Sequence, residues 1–390
     1  MSRTWRPTRN SGRLRVCHLG KYYPPARGGI ETHVHALAHA QSKLGLDVRV
    51  VCVNHVGSST TEEHDGDVSV TRCGRIAEIA KLDICPRLHH VLKHIDADIL
   101  HLQVPNPTML LGLAAMRAKI PLVITYQSDH IRLKIRGALL RPIERVVFGT
   151  ARAIITTSDN YTAGSQFLRQ YRNKIHVVPL GIDITRYVRP EESALDESRA
   201  IRRKYGRPLW MSCGRLIHYK GLTTAMRALA DVPGTLLVIG DGPERSRLEA
   251  DAVRGGVRAR VVFLGAVQNV VPYFLAADAL WFPSNAKSEA FGLVQVEAMA
   301  AGCPVINTNI PGSGVPWVCP NEEAGLTVPV GDSAAFAYAA RRIATDEKLR
   351  RRLGEGGRAR ARHFFDQSLT ASRCVDVYRH SLAASNLPHR

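Results

Sequence analysis

The stretch LWMSCGRLIHYKG, from Leu209 to Gly221, contains the structural unit that repeats along this chain. Leu209 to Cys213 is a short apolar run that predicts a buried strand, a Gly-Arg pair ends it, and after a brief loop Lys220-Gly221 begins a helix. Near-continuous apolar strands that alternate with helices are typical of a parallel sheet covered on both faces. The pattern therefore predicts an α/β fold.

The predicted strands form two series. The first is Leu14 to Leu19, Val48 to Val53, Ile99 to Val104, Leu122 to Tyr126, Ala153 to Thr157 and Ile175 to Val178, and the second is Leu209 to Cys213, Thr235 to Ile239, Arg260 to Leu264, Ala279 to Phe282 and Pro304 to Asn307. We expect two Rossmann-like, doubly wound domains facing each other across a cleft. The expected boundaries are 1–185 for the first domain, 186–205 for a polar linker, 206–364 for the second domain, and 365–390 for a helix that packs back on the first.

The composition is that of a globular protein with more than one core. The chain has 390 residues, of which 45% are hydrophobic and 22% charged. No apolar run approaches the roughly 18 residues of a membrane span, and Val16 to Gly20 is too short for the core of a signal peptide. The expected location is the cytoplasm. The eight cysteines show no CxxC pair and no zinc-like spacing, so neither a structural metal nor a disulfide framework is expected.

The net charge of +19 has three candidate explanations: nucleic acid, an anionic membrane surface, or a bias towards arginine. Seven Lys/Arg and no acid precede Glu31, and a second cluster, interleaved with apolar residues, can form a basic amphipathic helix: Arg132, Lys134, Arg136, Arg141 and Arg145. A third cluster, Lys348 to Arg362, is interpreted as the solvated face of a helix. Because no nucleic-acid motif accompanies them, nucleic acid is not expected, and an anionic membrane remains open.

Two glycine-containing loops stand where a predicted strand passes into a helix, the ligand-binding edge of open α/β sheets. Gly28-Gly29 would let an anion approach the backbone at a helix N-terminus, although a plain tight turn explains the pair as well. Arg215 and Lys220 suit a diphosphate, one as a planar fork and one as a point charge, and the alternative is two solvated cations.

The third loop carries two carboxylates with seven residues between them. We place Glu289 before a helix and Glu297 two turns into it, on the same side, where each can accept hydrogen bonds from sugar hydroxyls, one from the hexose and one from the ribose. The backbone N–H groups of Phe291, Gly292 and Leu293 would face a phosphate. The alternative is an ordinary helix with scattered glutamates.

Together these features resemble the retaining family-4 glycosyltransferases, which have the GT-B fold. The likeness covers Arg13 to Leu382, and its motifs stand in the family's order: Gly28-Gly29, Gly214-Arg215 with Lys220-Gly221, Gly240-Asp241-Gly242-Pro243-Glu244, and the Glu289/Glu297 pair. Four modest motifs in the expected order make the resemblance specific.

The resemblance implies a role for each site. Arg215 and Lys220 would hold the donor diphosphate, Glu289 the donor sugar and Glu297 the ribose, while Val267 would lie against the base. Gly28 and Gly29 would line the acceptor side. In the family's reaction the leaving phosphate helps to take the acceptor's proton, so Glu289 need not be a nucleophile. Neither a metal nor another cofactor is expected, because two cations and a helix N-terminus supply the charge.

One position departs from the family pattern. Many relatives have His-Ser-Asp after the strand Leu122 to Tyr126, whereas this chain has Gln127-Ser128-Asp129-His130. Glutamine donates a hydrogen bond but cannot take a proton. Either Gln127 only donates, or His130 substitutes, or turnover is compromised.

The predicted reaction is transfer of a hexose to a saccharide or lipid-linked saccharide, in cell-surface polysaccharide or glycolipid synthesis, by an enzyme peripheral on the inner face of the plasma membrane. The resemblance to bacterial polysaccharide-assembly mannosyltransferases favours GDP-mannose, and UDP-hexoses and dTDP-rhamnose remain open. Two alternatives are a sugar-nucleotide epimerase of the same fold and a non-catalytic basic membrane adaptor.

Overall fold

The computed structural model of the chain describes residues 12–26, 28–79, 82–116, 120–128 and 134–383, with the backbone alone for 134–139. It divides into two compact units. Unit 1 comprises the residues up to Thr157, Leu168–Val178 and the residues from Gln367 onwards, and unit 2 comprises Ser158–Phe167 and Pro179–Asp366. The chain therefore passes between the units four times.

Strands and helices alternate along much of the chain. Up to residue 177 the elements are β1 (Arg15–Leu19), α1 (Gly29–Lys43), β2 (Asp47–Asn54), β3 (Thr61–Asp65), β4 (Val68–Gly74), β5 (Ala77–Ile79), β6 (Leu82–Ile84), α2 (Leu88–Lys93), β7 (Ile99–Val104), α3 (Pro107–Met116), β8 (Leu122–Tyr126), α4 (Lys134–Thr150), β9 (Ala153–Thr156), α5 (Asp159–Gly164) and β10 (Ile175–Val177). From residue 185 they are α6 (Thr185–Val188), α7 (Glu192–Tyr205), β11 (Leu209–Cys213), α8 (Leu222–Ala230), β12 (Thr235–Ile239), α9 (Arg245–Arg254), β13 (Val261–Gly265), α10 (Val271–Ala276), β14 (Ala279–Phe282), α11 (Leu293–Ala301), β15 (Val305–Thr308), α12 (Val315–Val318), β16 (Gly325–Val328), α13 (Ser333–Thr345), α14 (Glu347–Phe364) and α15 (Gln367–Ala383).

Unit 1 is built on an eight-stranded sheet in the order β10-β9-β8-β7-β1-β2-β4-β3, in which neighbours are parallel except for the antiparallel edge strand β3. All six strands predicted for the first domain are present. The pairs β3–β4 and β5–β6 were not predicted. β3 is polar and mostly exposed, and β5 is exposed along its length, so neither carries the apolar pattern of a buried strand.

Unit 2 is built on six parallel strands in the order β13-β12-β11-β14-β15-β16. Counted along the chain this is 3-2-1-4-5-6, the Rossmann order. Apolar side chains cover both faces. On one face Trp210 and Trp281 stack with ring centroids 5.2 Å apart, and on the other Met211 and Leu280 pack against the helices that follow.

The stretch 186–205, predicted as a linker, is mostly helix and belongs to unit 2. In α7 the buried residues are Ala194, Ser198 and Ile201, spaced by four and three positions. That spacing forms a narrow buried stripe on one side of the helix. Charged residues on the other sides conceal the stripe in the sequence, and this explains the difference from the prediction.

Two members of the third basic cluster, which we predicted to form a solvated face, bond to neighbouring helices; Arg358 is exposed as predicted, whereas the Arg360 side chain is only 11% exposed. Arg358 donates to the carbonyl of Ala301 (3.0 Å) at the end of α11, and Arg360 donates to Trp317 (2.6 Å) and Val318 (2.9 Å) at the end of α12. The last carbonyls of a helix lack internal partners and carry the negative end of its dipole. These arginines of α14 therefore satisfy the ends of two neighbouring helices.

Helix α15 packs in unit 1. Val375 and Tyr378 join the core formed by β1, β2 and α1, where Val34 and Leu37 contribute. Among the described residues, no helix is both long enough and apolar enough to cross a membrane.

Candidate active site

The strand order of unit 2 reverses between β11 and β14, so the loops after these two strands diverge and leave a crevice at the carboxyl ends of the sheet. Ligands of open α/β sheets bind in such a crevice. The loop after β11 carries Arg215 and Lys220, and the loop after β14 carries Glu289. The fold thus brings the predicted diphosphate and sugar residues to one edge of unit 2.

The loop after β11 rests on the loop after β12, backbone against backbone. A Cβ atom at Gly240 would lie 2.1 Å from the carbonyl oxygen of Gly214, and the N–H of Leu216 donates to the carbonyl of Asp241 at 2.9 Å. Gly214 and Gly240 both have positive φ, at 137° and 120°. Glycine is therefore required here, and the clamped loop holds the exposed Arg215 at the crevice.

Gly221 fixes Lys220 against the loop after β14. Its φ is 66°, and a Cβ atom there would lie 2.0 Å from the carbonyl oxygen of Pro283. The N–H of Asn285 donates to the carbonyl of Tyr219 at 2.9 Å. These contacts turn the lysine inwards.

Lys220 and Glu289 form a buried ion pair. The Lys220 Nζ lies 2.5 Å from Glu289 Oε2, and the side chains are 17% and 10% exposed. The Ser284 hydroxyl donates to the same carboxylate at 3.2 Å. The alternative left open by the sequence, a solvated cation at Lys220, is wrong, because the turn at Gly221 places the ammonium group beside the Glu289 carboxylate.

Helix α11 begins after Gly292, which adopts φ 77°. The Phe291 side chain enters the core and packs edge-to-face on Phe365, with ring centroids 5.7 Å apart. The first N–H groups of a helix have no internal partner, so those of Gly292 and Leu293 stay candidates for a phosphate. We predicted backbone roles for these positions, and those roles remain predictions.

Glu297 lies one turn into α11, not two, because the helix begins at Leu293. The Tyr187 hydroxyl donates to Glu297 Oε1 at 3.0 Å. Burial raises the pKa of the Glu297 carboxyl. We did not identify Tyr187 from the sequence, since it falls in helix α6 at the start of the predicted linker.

Val267 follows β13 and is half-buried against the core of unit 2. Arg245 was not identified from the sequence. A Cβ atom at Gly265 would lie 3.8 Å from the Arg245 Nη1, so this arginine borders the loop that we predicted to contact the base. That base contact remains a prediction.

In unit 1 the two glycines of the acceptor-side loop differ. A Cβ atom at Gly28 would lie 2.1 Å from Glu31 Oε2, whereas a Cβ atom at Gly29 would meet no atom of another described residue within 4 Å, its chain neighbours and its own helix backbone aside. The carboxylate of Glu31 thus folds back over the start of α1, and this weakens the prediction of an anion site at that helix N-terminus.

Gln127 directly follows β8 and belongs to a buried series of hydrogen bonds. Its Nε2 donates to Gln103 Oε1 at 3.0 Å, and Gln103 Nε2 lies 3.3 Å from His101 Nε2. The ring Nδ1 of His101 lies 2.6 Å from the Tyr378 hydroxyl of α15. Burial lowers the pKa of His101 well below its usual value, so the ring is neutral. Because Gln127 is oriented by these groups, its side chain is held in one place. His130 lies outside the described residues.

Comparison with known proteins decides the family. Residues 27–186 match Glycosyltransferase Family 4, and residues 195–360 match Glycosyl transferases group 1. The D-rhamnosyltransferase WbpZ of Pseudomonas aeruginosa is 30% identical over 362 residues, which cover 90% of this chain and 92% of that protein. The chain belongs to the family 4 glycosyltransferases.

Other relatives of this family 4 glycosyltransferase agree. The O-antigen chain mannosyltransferase C of Escherichia coli is 27% identical, with 94% of this chain and 97% of that protein covered. Among solved structures, the sucrose-phosphate synthase from Thermosynechococcus elongatus has a TM-score of 0.80 at 24% identity, covering 95% of this chain and 100% of that one. The GT-B fold is confirmed, and family membership favours sugar transfer over an epimerase or an adaptor.

Proposed function

We propose that this glycosyltransferase moves a hexose from a nucleotide-diphosphate donor with retention of configuration, and that unit 2 holds the donor. The observation that carries the proposal is the Lys220–Glu289 pair at the switch point of unit 2. In this pair a cation that can bind the leaving diphosphate lies beside a carboxylate that can bind the donor sugar.

The charges around the pair suit a diphosphate without a metal ion. An ammonium group has three N–H donors. Glu289 occupies one side of Lys220, and the other donors are available to phosphate oxygens. Arg215 is exposed at the same crevice and can bind bidentately. Preorganised cations that face developing negative charge stabilise the transition state as a metal would.

Glu297 suits the ribose. Its Oε1 accepts from Tyr187, and the second oxygen can accept from a ribose hydroxyl. We therefore assign nucleotide affinity to Glu297 and sugar orientation to Glu289.

In the proposed step the bond from the sugar C1 to the diphosphate oxygen breaks while the acceptor oxygen bonds C1 on the same face. The leaving phosphate oxygen takes the acceptor's proton. Glu289 is not the nucleophile in this scheme, because the acceptor oxygen attacks C1 directly; Lys220 and the Ser284 hydroxyl bind its Oε2. Its part is to orient sugar hydroxyls.

We propose GDP-mannose as the donor. The relatives named above are a D-rhamnosyltransferase and a mannosyltransferase. D-Rhamnose is 6-deoxy-D-mannose, so both names denote sugars of the manno configuration. The phosphatidyl-myo-inositol mannosyltransferase of Mycobacterium leprae, 28% identical over 384 residues, also supports this choice.

For the acceptor we propose a saccharide or lipid-linked saccharide in polysaccharide or glycolipid synthesis. We also propose that the enzyme binds this acceptor while it is peripherally attached to the cytoplasmic face of a membrane. The net charge of +19 supports attraction to anionic lipid, at about 1 kcal/mol per cation close to the surface. The cations before residue 12, Arg27, Arg132 and the side chains of Lys134 and Arg136 lie outside the described part of the chain. Sedimentation with vesicles should show binding that needs anionic lipid and weakens with salt. Equal binding to neutral vesicles would reject the membrane part.

A thermal-shift screen tests the donor. GDP-mannose and GDP should raise the melting temperature more than UDP-glucose, UDP or dTDP-rhamnose, because a ligand that binds the folded state stabilises it by mass action. The anomeric configuration of the product, read by NMR, tests retention. A larger shift with a uridine or thymidine nucleotide would reject the guanosine donor, and an inverted product would reject the proposed step.

A further inference from the structure

Helix α1 presents two histidines one turn apart, opposite a carboxylate from the β3–β4 hairpin. The Nε2 atoms of His35 and His39 lie 3.2 and 2.9 Å from the same atom, Asp65 Oδ2. The imidazole rings lie 4.5 Å apart, centroid to centroid. Residues four apart on a helix face the same way, so the spacing H-x-x-x-H alone aims both rings at the hairpin.

The spacing of the three ligand atoms matches a tetrahedral zinc site. With Zn–N and Zn–O bonds of about 2.0–2.1 Å, two ligand atoms of a tetrahedron are separated by about 3.3 Å. Two of the three separations here are 3.2 and 2.9 Å, and the three ligand atoms all lie within 4.8 Å of one another. A small spreading of the rings therefore suffices to admit the ion.

The Tyr23 hydroxyl orients the carboxylate of Asp65. The Tyr23 hydroxyl donates to Asp65 Oδ2 at 2.9 Å. Hydrogen bonds of this kind to metal ligands hold them in place and tune affinity. Tyr23 also packs on His35, with ring centroids 5.5 Å apart.

The cluster is accessible from solvent. The side chains of His35, His39 and Asp65 are 40%, 29% and 39% exposed. His35 and Asp65 border a groove of about 680 Å³ next to Tyr23 and Pro24. An ion can therefore enter, and its fourth position would face the groove. Three protein ligands with one open position is the pattern of zinc sites that exchange their fourth ligand.

We propose that His35, His39 and Asp65 bind one Zn²⁺ ion, which joins α1 to the β3–β4 hairpin in unit 1. Imidazole and carboxylate ligands select zinc and similar divalent transition metals over Mg²⁺ or Ca²⁺, which prefer sets of oxygen ligands. The cysteine spacings argued against a cysteine-based metal site, and this site uses none. It is independent of the donor site, whose residues lie in unit 2.

Calorimetric titration of the tag-free full chain, stripped with EDTA, tests the proposal. We expect one Zn²⁺ per chain, little heat with Mg²⁺, and a melting temperature raised by about 5 °C or more at a zinc concentration 100 times the Kd. Asp65→Asn and His39→Ala should each weaken zinc binding by about tenfold or more, a loss typical of perturbed metal sites.

A matched control excludes a general histidine effect. His90 on α2 and His94 at its C-terminal cap have the same i,i+4 spacing and a ring separation of 4.2 Å, but no carboxylate completes a cluster there in the described chain. The double substitution His90→Ala/His94→Ala should leave stoichiometric zinc binding unchanged. If zinc does not bind below about millimolar, or if the α2 variant loses it as much as the Asp65 variant does, the proposal is overturned. Far-UV circular dichroism of each variant confirms that it is folded.

Discussion

Replacing Lys220 with alanine would leave the Glu289 carboxylate, which is 10% exposed, without its cation. At 2.5 Å and an effective dielectric constant of about 20, the attraction between the two charges is about 6–7 kcal/mol. The cost of removing both charges from water offsets part of this. When one partner of a buried pair is removed, the observed loss is about 3–5 kcal/mol. We expect Lys220→Ala to destabilise unit 2 by an amount in that range.

Urea unfolding followed by tryptophan fluorescence measures this loss in the right unit. Trp210, Trp281 and Trp317 all lie in unit 2. The fourth tryptophan, Trp5, lies outside the described residues. The matched control is Lys348→Ala, because Lys348 is exposed on α14 and its loss should change stability by less than about 0.5 kcal/mol.

A second substitution separates the ion pair from a general packing effect. Adding Glu289→Gln to Lys220→Ala removes the unpaired charge, so the double variant should recover at least half of the lost stability. If the free energy of unfolding of Lys220→Ala equals that of the wild type, or if adding Glu289→Gln lowers it further, the ion pair does not stabilise unit 2 as we argue.

Three further predictions follow from the two sites and the core of unit 1. Glu297→Gln should weaken GDP binding in calorimetry, whereas Glu289→Gln should keep GDP binding and lose transfer; the opposite pattern would exchange the two roles. Gln127→His should keep activity and Gln127→Ala should lower it substantially, while His130→Ala should change little; a damaging His130→Ala that also removes a limb of the pH–rate profile would give the role to His130. Burial lowers the pKa of His33 from 6.5 to about 4, so this ring takes up a proton on unfolding, and unit 1 should lose about 3 kcal/mol from this group as the pH falls from about 6.5 to 4. Hydrogen exchange should show a smaller pH slope in His33→Gln, and an unchanged slope would contradict the account.

The strands could be predicted where burial made them apolar. β8, β11 and β12 have the predicted bounds, because each is a mostly apolar run of five residues between turns or loops. β3 could not be predicted, since it lies at the edge of the sheet and its residues are polar and mostly exposed. Only the structure shows that β3 places Asp65 next to two histidines of α1.

The sequence motifs indicated which residues gather at the crevice but not how they pair. Glu297 and Tyr187 are 110 residues apart, and their hydrogen bond depends on how α6 meets α11. The series of hydrogen bonds that links Gln127 to Tyr378 could likewise not be predicted from the sequence. Its only signal was polar residues, His101 and Gln103, alternating within an otherwise apolar strand. Such a pattern predicts a buried network only after the neighbouring strands are known.

The four passages of the chain between the units have a consequence for synthesis and for engineering. Helix α15, which completes the core of unit 1 with Tyr378, leaves the ribosome after the whole of unit 2. Domains generally fold in order from the N-terminus during translation. Here the core of unit 1 is complete only when the last helix has been synthesised, so unit 2 can finish folding before unit 1 does. For the same reason, a hybrid that exchanges unit 2 must move residues 158–167, which include α5, together with residues 179–366, and leave α15 behind. A single junction near residue 180 would divide both units.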